Sequence, residues 1–135
     1  MLMGITEQIL TKTKYYNEAI RYMNNATETL KKAGKEDRHY KDDKYVKTAC
    51  GIAYNEVLKA LDGYLFLMNV EKTKGRKSIE YYYEEVGKRD RKLVKDIHDA
   101  YEILHLSGYY DGITNVKIIS EGFEVAYHII EKIKP

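Results

Sequence analysis

Apolar residues recur in steps of three and four over residues 45–68, a stretch that reads YVKTACGIAYNEVLKALDGYLFLM. This spacing is typical of an amphipathic α-helix, and it persists here for about six turns. Small residues such as Ala49, Gly51 and Ala53 would let a neighbouring helix approach closely, whereas Val57 would fill the space between helices. The pattern therefore predicts a central helix with other helices packed around it.

Three further stretches show the same periodicity. Together with the central one they predict helices over about residues 5–33, 43–70, 78–106 and 114–133. Leu2, Ile5 and Ile9 share the face of the first periodic segment that is expected to be buried, and Gly4 and Thr6 are its candidate N-caps, with residues 1–5 frayed. Short polar connections separate the helices, among them a basic loop at 71–77. We therefore predict an all-α fold, an up-down-up-down antiparallel four-helix bundle that forms a single domain over residues 1–135.

Several polar and small residues mark the expected helix ends. Gly34 follows the first helix and Gly108 would end the third, because glycine readily adopts a positive φ there. Ser78 and Thr114 are suitable N-caps for the third and fourth helices. Asp90 interrupts the apolar stripe of the third helix, where a carboxylate needs a donor or solvent.

The last helix is apolar over more than half of its circumference. A second stripe, formed by Ile118, Gly122, Val125 and Ile129, lies beside the first one. This width indicates either a deeply inserted helix or a surface for self-association. We favour the second interpretation and predict a symmetric homodimer, in which Gly122 permits close approach of the two copies.

The composition narrows the functional classes. The chain has 135 residues, 33% of them charged, and a net charge of +2, which argues against a strongly basic nucleic-acid binder and against an acidic disordered chain. No stretch approaches the roughly 18 uncharged apolar residues of a membrane span, and we see no signal-peptide pattern. Cys50, the single cysteine, is expected to be a core residue in a reducing compartment. We therefore expect a cytoplasmic protein without a cofactor and without membrane contact.

Tyrosine is over-represented, with 14 Tyr against 2 Phe and no Trp. A tyrosine can pack its ring inward and keep its hydroxyl at water or at a polar partner. The surplus therefore indicates either a thin core with tyrosines at its edge or a tyrosine-rich contact surface.

The residues with the most chemical interest lie on the third predicted helix. At 100° per residue, Arg91, His98, Glu102 and His105 fall within an arc of about 60°, away from the apolar stripe. Arg91 followed by His98 fits an RNase pattern, in which a cation holds phosphate beside a histidine that transfers protons. Glu102 and His105 have the spacing of a di-iron ligand pair, but no second such pair lies on a predicted helix, since Glu36 and His39 fall in a charged loop, so we expect no metal site. A solvated polar face is the remaining interpretation.

Two motifs carry a family resemblance. The segment AYNEVLKALDGYL (53–65), the turn SGYYDG (107–112) and the helical layout resemble an uncharacterised family of small bacterial helical-bundle proteins. More distantly, the layout and the Arg91/His98 pair resemble HEPN domains, which are four-helix bundles. That resemblance implies a dimer and, in branches that are RNases paired with nucleotidyltransferases, a nuclease. Lys92 departs from the pattern, since a different polar residue usually follows that arginine.

These observations lead to two functional hypotheses. The first is a non-enzymatic protein-interaction or assembly module, expected as a homodimer, with an unidentified protein as a further partner. The second is a HEPN-like RNase, or its inactive relative, that uses Arg91 and His98. Basic residues at 72–77 and 88–92 keep RNA open as a partner, although Glu80, Glu84 and Glu85 lie among them and weaken the field.

Overall fold

The computed structural model of the protein describes residues 3–71 and 77–135 and is mostly helical. Leu2 and most of the predicted basic loop at 71–77 lie outside these residues. The elements in chain order are α1 (Ile5–Lys31), β1 (Lys35–Glu36), β2 (His39–Tyr40), α2 (Asp43–Leu67), α3 (Ile79–Gly87), α4 (Arg91–Ala100), a π-helix (Tyr101–Tyr110), α5 (Val116–Ile130) and a short 3₁₀ turn (Glu131–Ile133).

The central helix forms where its apolar spacing predicts it, over α2. Asp42 caps its first turn, because the carboxylate accepts a hydrogen bond of 3.0 Å from the backbone N–H of Lys44. The helix ends at Leu67, and Asn69 then takes a φ of 62°. Helix α1, the π-helix and α5 all pack against α2. The core therefore surrounds one flank of α2, where Ala49, Ala53, Val57 and Leu61 are buried.

The loop between α1 and α2 contains a small antiparallel hairpin that the sequence did not predict. Lys35 pairs with Tyr40 and Glu36 pairs with His39. The ring of His39 lies 3.1 Å from the hydroxyl of Thr114, so Thr114 contacts this hairpin. Asn115 takes the predicted role of Thr114 and caps α5, accepting a hydrogen bond of 3.0 Å from the N–H of Ile118.

The third predicted helix, over 78–106, is not continuous, which corrects the prediction. Asp90 begins a new helix, α4, because its Oδ1 accepts a hydrogen bond of 3.1 Å from the N–H of Leu93. Its Oδ2 lies 3.2 Å from Nζ of Lys132, near the end of the chain. The carboxylate that interrupts the apolar stripe is therefore an N-cap with a distant cationic partner. Ser78 caps α3 as predicted.

The π-helix overturns a second prediction, that Gly108 ends the third helix. The N–H of Asp111 donates to the carbonyl of Leu106 over five residues, at 3.0 Å, which is the hydrogen bond of a π-helix. Gly108 is buried inside this segment, and a Cβ added to it would lie 2.7 Å from the Cβ of Cys50. Burial raises the pKa of the Cys50 thiol to about 12. Cys50 is therefore a core residue at a close helix contact.

No helix within the described ranges has the length and apolar character that crossing a lipid bilayer requires.

The break at Asp90 gives a first prediction. Replacing Asp90 with Ala is expected to lower the free energy of unfolding by about 1–2 kcal/mol, because the α4 cap is lost. Replacing it with Asn is expected to cost less, because Asn also caps helices. Urea denaturation of the three proteins measures the difference, and equal stabilities for wild type and Asp90→Ala would contradict the assignment.

The contribution of Asp90 to the free energy of unfolding is also expected to depend on pH. Burial alone would raise the pKa of Asp90, but the bonds from Lys132 and from the amides of Leu93 and Lys92 outweigh it, so the pKa is lowered below 3.8. A lowered pKa stabilises the fold at pH values above the unfolded-state pKa. The advantage of wild type over Asp90→Asn is therefore expected to be complete above 3.8 and to disappear as the pH falls through the folded-state pKa.

Candidate functional site

Arg91 and His98, the predicted RNase pair, both lie on the exposed surface of α4. Arg91 is the first residue of this helix, and His98 follows seven residues later, about two turns along it. Nδ1 of His98 lies 3.3 Å from the hydroxyl of Tyr83 on α3. The structure therefore gives His98 a phenol as its hydrogen-bond neighbour, and the catalytic role of the pair stays a prediction.

His105 lies away from the polar arc on which the sequence placed it. The π-helix begins at Tyr101, and its wider turn changes the direction of every following side chain. The ring of His105 stacks on Tyr54 at 4.6 Å and on Tyr101 at 5.4 Å between ring centroids. The predicted grouping of His105 with Arg91 and His98 is therefore corrected. Among residues 3–71 and 77–135, no three His, Cys, Asp or Glu side chains are placed to hold a metal ion.

The surface predicted for self-association is largely internal. Ile129 is 1% exposed, and Gly122 is buried, so that a Cβ added to it would lie 2.6 Å from Cγ2 of Ile103. Val125 is half-buried and Ile118 is 37% exposed. This placement corrects the prediction for Gly122 and Ile129, because α5 is the deeply inserted helix that the broad apolar face also allowed.

An apolar surface occurs instead at the start of α1. Ile5 is 78% exposed and Ile9 is 51% exposed, although both lie on the stripe that buries Met23 farther along the helix. The expected burial of Ile5 and Ile9 is therefore wrong, because the first turns of α1 extend beyond the part of this helix that packs on the core. Phe66 and Met68 are exposed at the adjoining end of α2. We call the set Ile5, Ile9, Leu10, Phe66 and Met68 the apolar end.

A groove follows the flank of α2 that faces away from the core. Two cavities, of about 310 and 630 Å³, lie along it and share Glu56 in their lining. Helix α1 forms one wall through Tyr15 and Tyr22, and the opposite wall contains Tyr109 at one end and Tyr81 at the other. The floor extends from Thr48 to Phe66, which corresponds to roughly 27 Å of helix. We call this feature the α2 groove.

The α2 groove accounts for much of the tyrosine surplus. Six of the 14 tyrosines line it: Tyr15, Tyr22, Tyr54, Tyr81, Tyr109 and Tyr110. Tyr109 and Tyr110 pack edge to face at 5.1 Å and remain exposed. The tyrosine content was the one signal in the sequence that pointed to this groove, but the residues are too scattered along the chain to show that they converge.

Among the described residues, Glu56 is the only charged residue that is buried, with 1% of its surface exposed. Its Oε2 lies 3.6 Å from Nζ of Lys59, and its Oε1 has no hydrogen-bond partner among the described residues. Burial raises the pKa of Glu56, and nearby Glu18 adds to this, whereas Lys59 opposes it. Lys59 also lies over the ring of Tyr22, at 4.7 Å from the centroid.

Sequence reasoning missed Glu56. The residue is three positions after Ala53 and four before Ala60, both on the buried stripe of α2, so its spacing indicated burial. A charged residue is ordinarily expected on the solvated face of a helix. The signal for Glu56 in the sequence was a carboxylate at a position of the buried stripe of α2.

The fold and the groove define a mostly helical protein with a tyrosine-lined groove along its central helix. The chain belongs to the family described as Domain of unknown function (DUF5618), because the family model matches residues 14–135. Among solved structures, the chain is similar to a protein of unknown function from Dyadobacter fermentans. The two are 36% identical with a TM-score of 0.79, and the match covers 90% of this chain and 94% of that chain.

No curated protein matches the sequence. The predicted membership of an uncharacterised family is therefore confirmed, and the function is unknown. The similarity to HEPN domains stays a prediction.

Glu56 gives a second prediction. Replacing it with Gln is expected to raise the free energy of unfolding at neutral pH by about 1–2 kcal/mol, because the change removes a buried charge at nearly constant shape. A raised pKa means that the wild-type protein gains stability as the pH falls through the folded-state pKa of Glu56, and the gain is complete below 4.5. The difference between the two proteins should therefore vanish near 4.5.

Urea denaturation at neutral and at acidic pH measures this effect. Glu102→Gln is the matched control, because Glu102 is exposed, and we expect it to leave stability unchanged. A Glu56→Gln variant that is less stable than wild type at neutral pH would contradict the assignment.

Proposed function

We propose that this protein is a non-enzymatic assembly module, in which two copies associate through the apolar end. The observation that supports this proposal is the continuation of the α1 stripe beyond the core, which leaves Ile5 and Ile9 exposed. Full burial of an isoleucine side chain is worth about 1.5–3 kcal/mol, so a partner that covers this stripe has a substantial driving force. Exposed apolar clusters of this kind commonly mark interaction sites.

The charges around the stripe favour a second copy as the partner. At 100° per residue, Ile5, Thr13 and Leu10 lie within about 100° of Ile9 on the helix surface. Glu7 and Lys14 lie on the far side, about 140–160° from Ile9. Lys12 lies about 60° from Ile9, at the edge of the apolar face, where its aliphatic stem covers apolar surface and its ammonium group reaches water. An antiparallel pairing of two such faces therefore sets apolar residues against apolar residues and leaves Glu7 and Lys14 in solvent. A symmetric pair is also the commonest form of soluble assembly.

The proposal interprets the scaffold as an up-down-up-down four-helix bundle. In this interpretation α3, α4 and the π-helix together take the place of the third helix, beside α1, α2 and α5. The contacts of α2 with α1, the π-helix and α5, and of α4 with α5, support it. The buried Cys50 suits a reducing compartment, so we place the module in the cytoplasm. Arg91 and His98 have no part in the assembly.

The assembly proposal gives a third prediction. Wild-type protein at high micromolar concentration should have twice the mass of one chain by light scattering. A variant with Ile5→Ser, Ile9→Ser and Leu10→Ser should have the mass of one chain, because the shared apolar surface is gone. Since these side chains lie outside the core, its free energy of unfolding, extrapolated to a single chain, should change by only about 0.5 kcal/mol per site.

The matched control is Ile118→Ser with Val125→Ser, on the surface predicted from the sequence. This variant should remain a dimer. A monomeric wild type would overturn the proposal, and so would a dimer that survives the three α1 substitutions. Dissociation of the control alone would move the contact to α5.

A further inference from the structure

We infer that the smaller cavity of the α2 groove binds a small organic cation, an ammonium group attached to an apolar or aromatic body. The inference goes beyond the assembly proposal and does not depend on it. It starts from Glu56, whose side chain is 2% exposed and lines this cavity. The Oε1 atom of Glu56 is buried and has no hydrogen-bond partner among the described residues.

An unpaired buried carboxylate oxygen is rare in natural proteins because it keeps the full penalty of losing its water. Among the described residues, Lys59 is the cation paired with Glu56, and it lies beside Oε2 and over the ring of Tyr22, so it leaves Oε1 unsatisfied. The last torsion of a glutamate side chain is broad, so the carboxylate can turn Oε1 toward the cavity without leaving its place. A ligand that donates a hydrogen bond there would remove the penalty.

The charges of the lining select the sign of the ligand. Among residues 3–71 and 77–135, the cavity is lined by four carboxylates and two ammonium groups, whose formal charges sum to −2 if all are ionised: Glu18, Glu56, Asp62 and Glu71 against Lys59 and Lys77. Asp62 is already engaged, because it accepts a hydrogen bond of 2.9 Å from the hydroxyl of Tyr82 and lies 3.3 Å from Nζ of Lys77. A cleft with one predominant sign of charge concentrates counter-ions, so it attracts cations and repels phosphates.

The remaining lining selects the body of the ligand. Tyr15, Phe66 and Tyr81 supply aromatic rings, and Leu65 and Val70 supply apolar contact. Aromatic faces attract ammonium groups and pack against rings. A volume of about 310 Å³ is at the lower end of ligand sites, so the ligand is a small molecule. A bare metal ion fits poorly, since the described residues provide no cluster of three ligating side chains.

Isothermal titration calorimetry with three matched probes tests the inference. The probes are 2-phenylethylamine, the neutral 2-phenylethanol and the anionic phenylacetate, which share one ring and differ in charge. We expect the amine to bind most tightly, the alcohol more weakly and the anion least. Equal binding of amine and alcohol, tightest binding of the anion, or no measurable binding of the amine would each overturn the inference.

The Glu56→Gln variant tests whether the amine binds in the smaller cavity. We expect it to weaken amine binding roughly 10–100-fold, which is the effect of losing one hydrogen bond to a charged group. Alcohol binding should hardly change. Asp62→Asn removes a second carboxylate charge from the cavity lining and should weaken amine binding by a smaller factor than Glu56→Gln. The control Glu102→Gln should bind as wild type does. A Glu56→Gln variant that binds the amine with wild-type affinity would overturn the inference.

The assembly variant separates the two proposals. Ile5→Ser, Ile9→Ser and Leu10→Ser change residues outside the cavity lining, so amine binding should persist in that variant. Loss of the dimer with retained amine binding is the result expected if both proposals hold. A wild-type monomer that binds the amine would overturn the assembly proposal alone.

Discussion

The fold depends on how closely its other helices approach α2. At Gly63, an added Cβ would lie 3.0 Å from the ring of Tyr15, so α1 packs directly on the α2 backbone. At Cys50, the sulfur faces Gly108 of the π-helix. Dispersion attraction weakens steeply when a gap opens, so contacts of this kind bring the most atoms into useful range. A side chain added at Gly108 would collide with Cys50 and push the π-helix away from α2, and the surrounding core would lose contact on both sides.

This close packing also creates the α2 groove. The π-helix sets Gly108 against Cys50 and the next residue, Tyr109, against Gly51, where an added Cβ would lie 2.9 Å from the ring. Two successive residues of one helix therefore contact two successive residues of α2. Helix α1 holds the opposite side through Tyr15, so the flank of α2 between them stays uncovered. The aromatic walls are a consequence of the same contacts that form the core.

The sequence predicted the features that depend on local spacing and missed those that depend on a distant partner. The position of α2 in the chain follows from the spacing of its own apolar residues. Ile5 has the spacing of a core residue, but spacing does not tell whether a neighbour lies opposite. Asp90 was recognised as an interruption, yet its cation is Lys132, 42 positions away in the chain. The spacing within residues 101–110 gave no signal for the π-helix either, nor for the contact of its Gly108 with Cys50 on α2.

Two features of the described chain depart from what local stability favours. Glu56 keeps a charge where an apolar residue would satisfy the stripe, and the apolar end keeps isoleucines where polar residues would suit water. Natural sequences depart from local consistency mostly where function requires it. Phe66 belongs both to the apolar end and to the lining of the smaller cavity. Phe66 is therefore the one side chain that the two features share, and the assembly variant, which changes Ile5, Ile9 and Leu10, leaves it in place.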